Sequence, residues 1–176
     1  MKTRELVQVA LLLAIGYVLH QITPPLVGGM KPDLLLSMLF VILLLFRDVK
    51  LGIVAGAVAG ILSALATTFP GGQIPNVIDK LITSLIVIGL IYLLQKVNDK
   101  VLAGVVGLIG TVVSGTVFLG SALILVGLPA PFKILFTSVV LPAALINTVA
   151  IVILYPIVAA SRNAIIRRTA STGAAR

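Results

Sequence analysis

Lys31 and Asp33, two apart in GGMKPD, and Gln73, Asn76, Asp79 and Lys80, gathered in FPGGQIPNVIDK, are the residues whose types and spacing could do chemistry. Each stretch puts an acid and a base beside glycines and prolines between long apolar runs. In the second, Gly71 and Gly72 open backbone conformations closed to other residues. Pro75 disfavours helix at Ile74. Asn76 is then expected to cap a helix with Asp79 at its third position, a relative of the capping box. Amide, carboxylate, ammonium and free N–H groups so close together suit a small zwitterion. A well-capped turn at a membrane surface is the plainer alternative. Asp79 and Lys80, being neighbours, point about 100° apart on a helix, so at most one is expected to touch a ligand. Asn147 reads as an interhelical hydrogen bonder before a ligand contact. His20 reads as an interfacial histidine, and Lys133 as a snorkelling lysine.

Bond-making chemistry has no support. The chain has no G-x-S-x-G, H-E-x-x-H or P-loop, and no carboxylate pair at catalytic spacing. It has no cysteine, and one histidine with five acids offers little for a metal. Neither an enzyme nor a cofactor protein is expected.

The elements that must hold these residues are membrane helices. The 176 residues are 60% apolar and 10% charged, and the mean hydropathy is +1.25. Soluble domains are about a quarter charged. Apolar runs extend from Leu6 to Ile22, Leu34 to Phe46, Leu51 to Thr68, Val77 to Leu94, Val101 to Val126 and Lys133 to Ala160. Residues 1–161 thus form one six-helix domain, and residues 162–176 a frayed basic tail. The second run spans roughly 20 Å against a hydrocarbon core of roughly 30 Å. Either its flanks stretch it, or KPD lies at depth, shielded by protein. Pro142 should kink the sixth run. The net charge of +8 hints at nucleic acid, but it sits at helix ends. Six spans put ten Lys and Arg on the side of the termini and Lys31, Lys80 and Lys133 on the other. That bias makes the termini cytoplasmic and the partner membrane lipid, not nucleic acid.

Ala10 and Ala14 form an A-x-x-x-A pair in the first run, and Gly52, Gly56 and Gly60 a small-residue face in the third. With six spans, a length near 180 residues and both termini inside, A-x-x-x-A resembles the substrate-binding S components of energy-coupling factor transporters. GGMKPD and FPGGQIPNVIDK look like the tryptophan transporter family within that group. The resemblance implies a prokaryotic multi-pass cell-membrane protein with the S-component bundle. It implies that Ala10 and Ala14 face a transmembrane coupling subunit joined to two cytoplasmic ATPases, with the third-helix glycines as further candidates for docking. It also implies that outer loops close over tryptophan and that the subunit topples to release it. The carboxylate of tryptophan would suit Lys31, Lys80 or the fourth helix N-terminus. Its ammonium would suit Asp33 or Asp79. Gln73, Asn76 and Asn147 would serve its polar groups, and Phe69, Phe132 and Phe136 its ring. An S component for a vitamin or another aromatic metabolite, and a membrane scaffold without ligand, stay open at this point.

Overall fold

A computed structural model describes residues 2–24 and 31–174, with side chains to residue 165. Gly28, Gly29 and Met30 of GGMKPD lie outside the described residues, as does Arg176. Helices α1 (Thr3–Ile22), α2 (Leu34–Phe46), α3 (Val49–Ala66), α4 (Gln73–Leu93) and α5 (Asp99–Leu125) are followed by a short α6 (Phe132–Leu135). A π-helical turn (Phe136–Val140) joins α6 to α7 (Leu141–Ala174). Among the described residues there is no strand. Five helical stretches are long and apolar enough to cross a membrane, α6 to α7 counting as one, while α2 is a shorter apolar helix.

Helix α2 is the central pillar. Its sequence, LLLSMLFVILLLF, has no polar stripe, and Leu35 through Leu44 are all buried. Five helices, α1, α3, α4, α5 and α7, pack around it. A helix apolar all round belongs inside a bundle or in lipid. Here protein encloses it, so it need not match the bilayer thickness. Its start is fixed by Asp33, whose Oδ1 accepts from Leu36 N–H at 2.8 Å, and Pro32 is buried. Of KPD, Pro32 is shielded by protein, while Lys31 and Asp33 stay half-buried.

Lipid offers no hydrophobic drive between helices, so close packing must hold them together. The α3 glycines do this inside the molecule. A Cβ on Gly56 would lie 2.3 Å from Ser84 Oγ, and one on Gly60 3.0 Å from Val77 Cα, both on α4. The third-helix small face is therefore spent on internal packing and is not an outward docking surface. In α1, Gly16 turns inward against Met38, whereas Ala10 and Ala14 are exposed on the opposite side.

Three local expectations change. Helix α4 begins at Gln73 with Gly72 as its N-cap, four residues before the expected cap at Asn76. Pro75 falls in the first turn, where the missing N–H is no loss. Asn76 instead returns its Nδ2 to Gly72 O at 2.8 Å. Where a kink is expected at Pro142, a π turn stands just before it, closed by Leu141 N–H donating to Phe136 O. The widened turn accommodates a ring that would crowd the carbonyl four residues back. Finally, residues 161–174, expected as a frayed tail, continue α7 as helix.

At the end opposite the α3–α4 loop, two arginines close the C-terminus of α2. Arg47 Nε donates to Leu44 O at 3.2 Å, and Arg162 Nη1 donates to Leu45 O at 3.2 Å. Arg162 also lies over the Phe46 ring at 4.5 Å. Arg47 pairs with Asp99, which accepts from Tyr155 Oη at 3.2 Å. Cations at a helix C-terminus complement its dipole, so this cluster ties α2, α5 and α7 together.

Candidate substrate cavity

A cavity of about 530 Å³ opens at the α3–α4 loop end, within the range of small-molecule sites. Its walls have opposite characters. One wall comes from the end of α1, the start of α2 and the second turn of α4, and is charged. The other comes from the upper half of α5, the π turn and the start of α7, and is mostly apolar, with Phe118, Leu119, Val139, Val140 and Ala143. The α3–α4 loop contributes Phe69, which meets Phe118 edge to face at 5.4 Å.

Lys80 organises the charged wall. Its side chain is 3% exposed, and Nζ stands 2.6 Å from Asp79 Oδ2 and 3.1 Å from Asp33 Oδ2. A buried ammonium persists only with such partners. Asp79 is sealed: it also accepts from Thr83 Oγ1 at 2.9 Å and from Ser114 Oγ at 2.8 Å. Asp33 keeps 28% of its side chain exposed. His20 Nδ1 lies 3.2 Å from Pro32 O and 3.8 Å from Asp33 Oδ1, fixing the start of α2 against α1.

Asp79 and Lys80 both line the cavity although about 100° separates them on the helix. The helical angle between them is real, but α4 is covered on both flanks, by α3 and by α5. Two positions 100° apart both face protein, and the long lysine stem bends back to its neighbour. Two acids and one base give this cluster one surplus negative charge, and Lys31 stands at the rim to offset it. Lys31 lines the cavity, and its Nζ reaches Gln21 O at 3.4 Å.

Asn76 and Asn147 also line the cavity. Asn76 is turned toward its own helix, where its Nδ2 is used on Gly72 O. Asn147 is fully buried, with Nδ2 3.5 Å from Thr111 Oγ1. Gln73 is exposed and does not line the cavity, because the helix starts at it and turns it outward. Phe132 and Phe136 stack on each other at 6.1 Å and stay outside the lining. Lys133 is exposed. Among the described residues no group of acids and histidines could hold a metal.

The sequence reading missed Thr111, Ser114 and Phe118. The signal was present, since positions 111, 114 and 118 follow helical spacing and share one face of α5. It was hidden because hydroxyls are common in membrane helices and often bond their own backbone, as Thr116 does to Val112 O.

Residues 2–163 match the family model described as tryptophan transporter TrpP. A Bacillus subtilis protein named "probable tryptophan transport protein" is 51% identical over 176 residues, covering all of both chains. A Clostridium acetobutylicum protein of the same name is 51% identical over 169 residues, 96% of this chain and 99% of that one. One from Clostridium perfringens, again so named, is 49% identical over 159 residues, 85% and 87% of the two chains. No solved structure matches.

Proposed function

This chain belongs to the tryptophan transporter family, and from that premise we propose that it is the membrane subunit that captures tryptophan with high affinity and delivers it through an ATP-driven coupling module. The observation that carries the reading is the two-sided cavity: a zwitterion needs fixed charges on one wall, and an aromatic ring needs apolar and aromatic contacts on the other. Asp33, the more open of the two carboxylates, takes the ammonium. Lys31, free of any carboxylate partner among the described residues, takes the ligand carboxylate. Lys80 holds Asp33 and Asp79 in place. Phe69 and Phe118 flank the ring, and each aromatic contact is worth about 0.5–1.5 kcal/mol beyond the area it covers.

Coupling to a transmembrane subunit and two cytoplasmic ATPases rests on the resemblance to S components. It is supported by the exposed Ala10 and Ala14, which let a partner helix approach α1 closely. Both termini are assigned to the cytoplasm on the basic bias.

Calorimetry on the purified protein in detergent tests the capture step, with riboflavin and biotin as controls. Saturable, stoichiometric binding of tryptophan alone is expected. Absence of binding to freshly purified protein with no copurified ligand overturns the reading.

A further inference from the structure

Asn147 holds a buried acceptor without a partner. Its side chain is completely enclosed, and Oδ1 has no hydrogen-bond partner among the described residues. An amide oxygen removed from water and left unpaired costs free energy. Such a group, on a residue that lines the cavity, is a candidate for pairing with what the cavity takes.

Its depth can be read from α5. Asp79 is bonded by Ser114, and Asn147 by Thr111. Those α5 residues are three apart, so Asn147 lies about 4.5 Å deeper along the helix than the Asp79 contact. Ala143, Val140 and Leu119 share the lining. On the mouth side of Asn147 the cavity therefore offers carbon surface, with one hydrogen-bond acceptor, held by Thr111, beneath it. That is the complement of a flat ring carrying a single in-plane N–H. The indole N–H is donor only, and a phenyl ring has none.

We propose that Asn147 Oδ1 accepts the indole N–H of the substrate and is the residue that selects tryptophan over phenylalanine. The inference rests on the reading that the cavity takes tryptophan. Thr111 is a positioning residue that aims the amide.

The test compares tryptophan with β-(3-benzothienyl)alanine, in which sulfur replaces the indole N–H at nearly constant shape. Calorimetry on wild-type protein is expected to show the analogue binding about 10- to 100-fold more weakly, the range for a buried acceptor left unpaired. In Asn147→Leu the two ligands are expected to bind within about threefold of each other, because the acceptor is gone. Asn147→Ala serves if the leucine variant does not fold. Equal affinities in wild type overturn the role of Asn147 while tryptophan capture stands. An unchanged preference in a folded Asn147 variant does the same. A wild-type protein that binds neither ligand overturns capture and this inference together.

Discussion

At the residue scale, the charged wall separates recognition from support. Lys31 and Asp33 are the groups with spare capacity, and Asp79 and Lys80 are saturated by one another and by hydroxyls. Lys31→Met is therefore expected to weaken tryptophan about 10- to 100-fold, as for loss of a charge-assisted hydrogen bond. It should hardly change tryptamine, which has no carboxylate. Equal losses for the two ligands, measured by calorimetry, would remove Lys31 from the site. Lys80→Met is expected to act differently. It strands Asp79 beside Asp33 with no cation, and breaking a buried pair this way costs about 3–5 kcal/mol. The loss should appear as a lower melting temperature in detergent. Adding Asp79→Asn should recover much of it, because the stranded charge is then gone. A double variant no more stable than the single one would mean that Lys80 acts through something other than these carboxylates.

At the element scale, the site depends on how closely α3 and α4 approach. The second turn of α4 presents Asp79 and Lys80, and the first helix turns of α4 lie directly against Gly60 and Gly56 of α3. Gly56→Leu is expected to force the helices apart and to cost both monodispersity and tryptophan binding. Gly120→Ala, where a Cβ meets nothing within 4 Å, should leave both unchanged and serves as the control. Size-exclusion profiles and binding titrations of the two variants decide the matter. The pillar α2 can be short because five neighbours enclose it, and it starts at Asp33 in the charged wall.

At the scale of the whole molecule, the two ends of the bundle have different tasks. One end holds the cavity. The other is closed by Arg47, Asp99, Tyr155 and Arg162 around the C-terminus of α2. The cysteine-free sequence allows a direct test of orientation. Single cysteines at Asn98 and at Pro131 should react with an impermeant maleimide from opposite sides of intact cells, Pro131 from outside. Labelling of both from one side would refute the six-span topology. Docking belongs to the same scale. Ala10→Leu with Ala14→Leu should leave tryptophan affinity unchanged while abolishing copurification with a coupling subunit. Retained copurification would move the docking face away from α1.

The sequence by itself determined the helices, because runs of apolar residues in lipid have no alternative way to satisfy their backbone. It also singled out Lys31, Asp33, Asp79 and Lys80 as the charges a zwitterion would need, since charges inside such a chain are too costly to be incidental. What it could not assign was partnership. That Lys80 bridges Asp33 and Asp79, that Ser114 and Thr111 bring α5 into the site, and that Gln73 leaves it are outcomes of helix rotation and packing. Those depend on contacts between residues far apart in the chain, such as Gly56 with Ser84 and Gly115 with Val140. Local spacing gives the angle between two side chains on one helix. Only the tertiary structure decides which angles are covered by protein, and here α4 is covered on both flanks.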